Sequence, residues 1–465
     1  MVGRLPLRVL GGLLLAGAAA LAVADPAADD SNGDDEPRLA NLLFVTLDTT
    51  RPDHLGAYGY PRPTSPSLDR FAATATLFED VTCSIPTTLP SHLTIFTGLT
   101  PDQHGVMANG VVPPANLVSI FDLLAARGHR TAAVVAAQVL APKYLVGLGL
   151  EQIYYGDGRA PWALELPAQS VTAMAERWLE TFGDEPFALW LHYYDPHEPY
   201  NPPPALAARF VRDPRSRIGG AVSTEFLREL NDDPERRAEL SEADRERIVD
   251  LSNAEVCAMD YQLGRLLRTL SRRGLLERTV IVIVGDHGQA HGEHDYWGHG
   301  RQLLEPVVKV PLLIRLPGQD RGLRVAAPAE TLDIVPTLIE LYGLPRPASL
   351  SGRSLTPLLR GAAQADPPFR LVERRLFGDD PTALGMALYG ADWKLTYYRE
   401  RGVESFRLAR AGAAGGLDGD GVVAAHGPEA ALLAKLLALR PPQIVRPVDT
   451  SDETLKMLQA LGYAQ

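Results

Sequence analysis

The chain contains apolar runs of strand length that end directly at acidic side chains. Residues 41–47 are almost entirely apolar and stop at Asp48, and residues 279–284 are followed by Gly285 and Asp286. Runs without polar alternation are typical of strands buried on both faces of a parallel sheet. Because ligands gather beyond the carboxyl ends of such strands, the pattern predicts an α/β fold with a functional site at that edge.

Helical patterns lie between the apolar runs. Ser119 can cap one of these helices and Gly128 can end it. Strands that alternate with helices predict a mostly parallel sheet flanked by helices. The predicted helices are 120–127, 171–182 and 243–272, and the further predicted strands are 131–135 and 187–192.

Residues 1–24 have the features of a secretory signal peptide. Arg4 and Arg8 precede the apolar stretch 9–20, and residues 22–24 read Ala-Val-Ala, which is a cleavage motif. We therefore expect export to the periplasm or the extracellular space; the alternative is an uncleaved membrane anchor. No other run is apolar enough to span a bilayer, so we expect no membrane span after cleavage.

Differences in composition divide the rest of the chain into three segments. Residues 25–37 are acidic and poor in apolar side chains, which predicts a disordered spacer. Residues 38–345 hold the alternating α/β pattern and form the predicted main domain. We expect residues 346–465 to form a small C-terminal α+β subdomain, with a hairpin near 386–398 and a short helix at 455–463.

Charge and cysteine content limit the partners of the chain. The formal net charge of −12 argues against a nucleic-acid polymer, although a bound cation would still allow a small anionic substrate. Cys83 and Cys257 are too few for a disulfide framework and are expected to be isolated thiols. Neither feature indicates an oligomeric state.

Thr88, which opens the segment Thr-Leu-Pro-Ser-His, is the candidate nucleophile. A threonine hydroxyl reacts poorly at neutral pH, and a divalent cation that stabilises its alkoxide activates it. Asp48, Asp286 and His287 could hold such a cation, and hard oxygen ligands with one imidazole suit Zn²⁺, Mn²⁺ or Ca²⁺. Taken singly, each of these residues is more often a cap or turn residue, so the hypothesis depends on their combination.

Short motifs occupy residues 46–56, 64–70, 88–98, 195–199, 286–288 and 333–337. Their combined order resembles the sulfatase branch of the alkaline phosphatase superfamily over nearly all of the mature chain. This resemblance implies an alkaline-phosphatase-like fold, a sulfatase-like catalytic domain over 38–345 and metal-dependent hydrolysis of an ester.

The chain departs from the sulfatase pattern at its most characteristic positions. Sulfatases carry Cys-x-Pro-Ser-Arg, whose cysteine becomes formylglycine, whereas here Thr88 takes the cysteine position and His92 the arginine position. Cys83 lies five residues too early, and the Lys-x-His clamp of the family aligns with Ala136 and Gln138. A formylglycine mechanism is therefore not expected, and His92 is predicted to contact substrate instead.

The Thr88 segment is also similar to nucleotide pyrophosphatase/phosphodiesterases, which use a threonine nucleophile. By this resemblance, Asp48, Thr88, Asp286 and His287 would surround one divalent metal. Asn109 would donate to an oxygen of the transferring group and stabilise the charge that develops there. The alternative for Asn109 is a structural role in an Asn-Gly turn.

Asp195, His197 and His299 form a second candidate cluster. The Asp195-x-His197 spacing is too tight for the second zinc of the paired phosphodiesterases, so we predict that His197 and His299 contact substrate or protonate the leaving group. Asp195 is predicted to bind substrate. A second metal at this cluster is the alternative, and His192 is expected to be structural.

The missing clamp residues favour a substrate with a single negative charge, such as a phosphodiester, a phosphonate monoester or a sulfate ester. Because a threonine alkoxide must displace at the central atom, phosphorus esters are favoured over sulfate esters. The predicted substrate is thus a small-molecule, glycan or lipid ester. The alternatives are a true sulfatase that works without formylglycine, a transferase of phosphoryl-linked groups, and a non-catalytic glycan- or lipid-binding pseudo-enzyme.

Overall fold

The computed structural model describes residues 41–156, 165–181, 185–367, 369–375, 383–411 and 416–418, with the single positions 431 and 434. The predicted signal peptide, acidic spacer and C-terminal helix lie outside the described residues. The predicted α/β class is confirmed: a large, mostly parallel sheet is flanked by helices, and a separate antiparallel sheet follows it.

Eight strands form the main sheet in the spatial order β8-β2-β7-β6-β1-β5-β3-β4. The central strands β1, β5 and β6 are buried along their whole length, as their continuous apolar runs predict. In chain order the strands are β1 (Asn41–Leu47), β2 (Thr76–Phe78), β3 (Arg130–Val135), β4 (Gln152–Tyr155), β5 (Phe187–Tyr193), β6 (Thr279–Gly285), β7 (Leu312–Arg315) and β8 (Leu323–Val325).

The register of the central strands brings their carboxyl ends together. Strand β1 pairs in parallel with both β5 and β6, and Leu47 lies opposite Tyr193 on one side and Gly285 on the other. Asp48 and Asp286 each follow these paired residues directly. The two carboxylates are therefore neighbours because parallel strands of matched register end at one edge of the sheet.

Helices cover both faces of this sheet. The longest, α9, begins at a capping box in which the side chains of Ser241 and Asp244 bond to each other's backbone N–H groups. Within the described ranges, no helix combines the length and the apolar composition that crossing a membrane requires. The helices are α1 (Pro66–Ala72), α2 (Thr88–Thr97), α3 (Pro101–His104), α4 (Ile120–Ala125), α5 (Ala168–Glu180), α6 (Pro204–Phe210), α7 (Thr224–Asp232), α8 (Pro234–Ala238), α9 (Glu242–Arg272), α10 (Glu305–Val308), α11 (Ile334–Leu341) and α12 (Thr356–Leu359).

A four-stranded antiparallel sheet follows the main one, and its two middle strands contain the predicted hairpin. Backbone hydrogen bonding ties it to the segment that precedes α2, since the Glu373 N–H donates to the Ser84 carbonyl at 2.8 Å. The Tyr398 hydroxyl likewise accepts from the Leu303 N–H at 2.8 Å. Its strands are β9 (Arg370–Arg375), β10 (Leu384–Tyr389), β11 (Trp393–Glu400) and β12 (Val403–Arg410).

Candidate metal and nucleophile site

Three segments of the chain bring Asp48, Asp286, His287 and Thr88 into one buried group. One ligand atom from each of Asp48, Asp286 and His287 lies within 4.8 Å of the others. The Thr88 hydroxyl is 3.3 Å from His287 Nε2. None of the four side chains is exposed to solvent. The structure thus brings together the candidate nucleophile and its three predicted metal ligands.

Backbone geometry fixes the two carboxylates at the strand ends. The Asp48 N–H donates to the Tyr193 carbonyl at 2.9 Å, and the next residue, Thr49, takes a left-handed conformation with φ 48° that turns the chain sharply. The N–H groups of Thr49 and His287 both donate to Asp286 Oδ1, at 3.2 and 2.7 Å. Asp286 Oδ2 therefore remains directed away from these backbone donors.

Helix α2 presents Thr88 at its first position. Thr87 is extended and precedes the helix, so Thr88 is the first helical residue rather than a plain N-cap. The Ser91 hydroxyl donates to the Asp286 carbonyl at 2.7 Å, which joins this first turn to the end of β6. Asn109 Oδ1 accepts from the Leu89 N–H at 2.9 Å. Asn109 is thus held beside the nucleophile by the same turn.

Three carboxylate oxygens of this group are buried without a hydrogen-bond partner among the described residues. Both oxygens of Asp48 and Oδ2 of Asp286 are buried and have no hydrogen-bond partner there. Burial and the neighbouring charge of Asp48 raise the pKa of Asp286 well above its ordinary value. Buried unpaired carboxylates are costly unless they coordinate a metal, so these donors fit a divalent cation.

His287 is prepared to act as a neutral ligand. Its Nδ1 lies 3.1 Å from the Gly288 carbonyl, to which it can donate, and this leaves the lone pair on Nε2. Nε2 lies 3.5 Å from Asp286 Oδ2 and 4.0 Å from Asp48 Oδ1. Burial lowers the pKa of His287 to about 4, which keeps the ring unprotonated at neutral pH.

His92 does not occupy the place that the sequence analysis predicted. Its Nδ1 lies 2.7 Å from the Thr88 carbonyl and its Nε2 lies 3.0 Å from the Thr46 hydroxyl. Both ring nitrogens are therefore used inside the protein, and the ring is fully buried. We correct the prediction of substrate contact: a histidine at this position of α2 holds the nucleophile turn in place.

His192 lies behind the metal group rather than in an unrelated part of the core. Its Nε2 is 3.3 Å from Asp48 Oδ2, and its ring packs edge-on to His92 with centroids 5.1 Å apart. This contact could not be predicted from the sequence, because it depends on the strand register that places His192 opposite Thr46. A proton on Nε2 would orient the Asp48 carboxylate, as the outer partners of metal ligands commonly do.

His197, Glu198 and His299 form a second group of potential ligands. The Nε2 atoms of the two histidines face each other at 3.1 Å, and Glu198 Oε2 is buried without a hydrogen-bond partner among the described residues. Glu198 was not predicted, although it directly follows His197 in the motif Asp-Pro-His-Glu-Pro. Burial, together with the neighbouring ring of His287, lowers the pKa of His299 to about 3.

The proton of this histidine pair belongs on His197. Burial disfavours the charged ring, but the negative charges of Glu198 and Asp48 outweigh it and raise the pKa of His197. His197 Nδ1 lies 2.9 Å from the Tyr194 hydroxyl, which fixes the ring orientation. His197 is therefore the better proton donor of the two.

The Asp195 carboxylate accepts hydrogen bonds from the backbone and is not grouped with Asp48, Asp286 and His287. Both of its carboxylate oxygens accept from the Ala168 N–H at the start of α5, at 3.0 and 2.8 Å. The same side chain lines a cavity of about 630 Å³ that also touches His197. The carboxylate oxygens of Asp195 thus stabilise the start of α5, and the Asp195 side chain forms part of the cavity wall.

Comparison with known proteins agrees with this architecture. The sequence profile of the sulfatase family matches residues 40–344. The chain belongs to the sulfatase family. A similar relative, the ulvan-active sulfatase of Formosa agariphila, is 27% identical over 353 residues, which cover 70% of this chain and 66% of that protein. The chain therefore spans slightly less than two thirds of that relative.

Solved structures show the same fold at low sequence identity. A protein in complex with its substrate D-glucosamine-2-N,6-O-disulfate superimposes with a TM-score of 0.70 and 18% identity, covering 91% of this chain and 98% of that chain. The phosphonate monoester hydrolase of Agrobacterium radiobacter gives a TM-score of 0.68 and 20% identity, covering 86% and 95%. These similarities confirm the alkaline-phosphatase-like fold.

Within this sulfatase scaffold, both cysteines are buried free thiols. Cys83 is fully buried five residues before Thr88, and burial together with the charge of Asp286 raises the pKa of its thiol. Cys257 is a buried free thiol on the long helix α9. The chain therefore keeps the family's fold, and a threonine hydroxyl lies beside the candidate metal ligands.

Proposed function

We propose that this protein is an exported, metal-dependent hydrolase that cleaves phosphorus esters through a covalent adduct on Thr88. One observation carries the proposal: the Thr88 hydroxyl lies 3.3 Å from His287 Nε2, beside Asp48 and Asp286 oxygens that are buried without partners. The predicted signal peptide supports export. A phosphodiester or a phosphonate monoester is the favoured substrate.

Asp48, Asp286, His287 and Thr88 would hold one divalent cation, Zn²⁺, Mn²⁺ or Ca²⁺. When bound, the cation lowers the pKa of the threonine hydroxyl and neutralises charge in the transition state. The first turn of α2 adds backbone N–H groups near the same point. Asn109, whose Oδ1 accepts from the Leu89 N–H, would donate its amide N–H to an oxygen of the transferring group.

The reaction proceeds in two displacements. Thr88, whose hydroxyl proton is lost to solvent, attacks phosphorus through Oγ; the bond between phosphorus and the alcohol oxygen breaks as His197 gives its Nε2 proton to the departing alcohol. The neutral His197 then takes a proton from the water that attacks the phosphorus of the adduct, and the bond between phosphorus and Thr88 Oγ breaks, which releases the acid and restores both Thr88 and His197 to their starting states. This double displacement at the central atom suits phosphoryl transfer.

Replacement of His197 by Gln is expected to lower the rate of hydrolysis by an amount that depends on how readily the alcohol leaves. Loss of a general acid costs about 10²–10⁴-fold on alkyl esters, whose alcohols leave poorly without a proton. 4-Nitrophenyl esters need little protonation and should lose much less. Steady-state rates on both ester types measure the difference. Equal losses on the two types would contradict the proton-donor role.

A second cation at His197, Glu198 and His299 is the alternative to this role. Two imidazole ligands of one Zn²⁺ bind at about 2.0–2.1 Å each, which is compatible with the 3.1 Å that separates the two Nε2 atoms. We propose one resident cation because His197 already has polar neighbours in Tyr194 and the Glu198 carbonyl. Two equivalents of tightly bound metal per chain would favour the alternative.

A panel of chromogenic esters tests the substrate class. We expect the metal-loaded protein to cleave bis(4-nitrophenyl) phosphate and a 4-nitrophenyl phosphonate monoester faster than 4-nitrophenyl sulfate, measured as kcat/KM on the same preparation. The family membership favours the rival, a sulfatase that works without formylglycine. Preference for the sulfate ester would establish that rival, and inactivity on every ester would favour the pseudo-enzyme.

A further inference from the structure

The cavity that touches His197 is large enough to hold the alcohol half of a substrate. Its volume is about 630 Å³, within the usual range of small-molecule sites. It lies between the residues that follow β5 and the N-terminal part of α5, and the middle of α9 closes one side. A leaving group protonated by His197 would therefore lie next to this space. The inference that follows rests on the proposed function.

The walls of the cavity are acidic. Glu165, Asp195 and Glu255 contribute carboxyl groups, and the described residues that line it include no lysine or arginine. Glu255 Oε1 accepts from the Asn201 N–H at 2.7 Å, which fixes this side chain on the wall. Such a lining offers no lysine or arginine to a second negatively charged group of the substrate.

Two carboxyl oxygens near the cavity are buried without a hydrogen-bond partner among the described residues. Glu165 Oε1 is buried and has no hydrogen-bond partner among the described residues. Glu198 Oε2 is likewise unpartnered, and it lies 3.6 Å from His197 Nδ1 in a side chain that is 5% exposed. Burial and the charge of Asp195 raise the pKa of Glu255 to about 8, so a cation in the cavity would be needed to keep it ionised.

We infer that the alcohol half of the substrate carries a positively charged ammonium group that binds in this cavity against Glu255 and Glu165. An ammonium group supplies the charge that the wall lacks and can donate several hydrogen bonds to carboxylates. Its alcohol oxygen would remain at His197, where the ester bond is cleaved.

Three alcohols of matched size test the inference: 4-(aminomethyl)benzyl alcohol, 4-ethylbenzyl alcohol and 4-(carboxymethyl)benzyl alcohol. Their methylphosphonate monoesters are compared as substrates of the metal-loaded full chain. We expect kcat/KM for the ammonium ester to exceed that for the neutral ester by roughly tenfold or more, with the anionic ester the poorest. Equal values for the three esters would overturn the inference and leave the proposed hydrolase intact.

The variant Glu255→Gln tests whether Glu255 is responsible for the preference for the ammonium ester. Glutamine keeps the carbonyl oxygen that accepts from Asn201, so the fold should persist while the charge is lost. The ammonium-to-neutral ratio should fall toward one in Glu255→Gln and in Glu165→Gln. The control Glu242→Gln removes an exposed carboxylate from the start of the same helix α9 and should keep the wild-type ratio. An unchanged ratio in both cavity variants contradicts the inference.

Direct binding separates this inference from the proposed reaction. Calorimetry with the free alcohols requires no turnover, so it reports on the cavity even if no ester is cleaved. Tighter binding of the ammonium alcohol to wild type than to Glu255→Gln supports the site. Equal affinity for the ammonium and neutral alcohols in wild type would overturn it.

Discussion

Thr88→Ala is expected to lower kcat on phosphorus esters by at least ~10³-fold while the protein remains folded. The alanine removes the attacking oxygen, whereas the helix that carries it keeps its backbone and the hydrogen bond from Ser91 to Asp286. Steady-state kinetics on the best ester of the panel measure the loss. Circular dichroism and a thermal unfolding scan establish that the fold is intact.

Two control variants test whether the loss of activity is specific to the Thr88 hydroxyl. Thr88→Ser keeps a hydroxyl at the same position and should retain part of the activity. Thr87→Ala removes a hydroxyl one residue earlier, where the side chain makes no capping hydrogen bond, and should leave kcat nearly unchanged. Undiminished hydrolysis by Thr88→Ala, or equal losses in Thr88→Ala and Thr87→Ala, would contradict the nucleophile assignment.

Asp286→Asn is expected to abolish both activity and stabilisation by metal. Wild type should gain about 4 kcal/mol in unfolding free energy at a metal concentration ~1,000-fold above Kd. The variant should gain little, because asparagine supplies no negative charge to the cation, and its activity should fall by more than ~100-fold. Thermal unfolding with and without added metal, together with kcat/KM, checks both effects.

Metal affinity of the wild type should also depend on pH. Because the pKa of Asp286 is raised in the metal-free protein, a cation must displace a proton from it. Affinity should therefore fall by about tenfold per pH unit on acidification within the range where that proton is bound. Asp286→Asn should lack this dependence, and the exposed Asp295→Asn should retain it together with the metal-induced stabilisation. A metal response in Asp286→Asn equal to that of wild type would place the cation elsewhere.

Much of the fold could be predicted because the central strands carry a simple signal. The runs that became β1 and β6 are apolar at every position that the sheet buries, and each is followed by a carboxylate. The C-terminal sheet was harder to predict. Strand β9 reads Arg-Leu-Val-Glu-Arg-Arg, and its Arg374 is buried, where it pairs with Glu400 and packs over the Tyr398 ring. Charged strands of this kind lack the apolar pattern on which sequence reasoning depends.

The candidate site likewise contains residues that could be predicted from the sequence and one whose role could not. Asp48, Asp286, His287 and Thr88 could be grouped because strand ends and helix starts meet at one edge of a parallel sheet. The role of His92 could not be predicted, because its ring nitrogens are engaged by the Thr88 carbonyl and the Thr46 hydroxyl. These contacts follow from side-chain rotamers, which residue spacing along a chain does not determine.

Anomalous X-ray scattering from crystals of the metal-loaded protein tests the central claim most directly. We predict a peak about 2.0–2.6 Å from oxygens of Asp48 and Asp286, from His287 Nε2 and from the Thr88 hydroxyl. A peak confined to His197, Glu198 and His299, or an ion that no oxygen of Asp48 and Asp286 approaches, would contradict it.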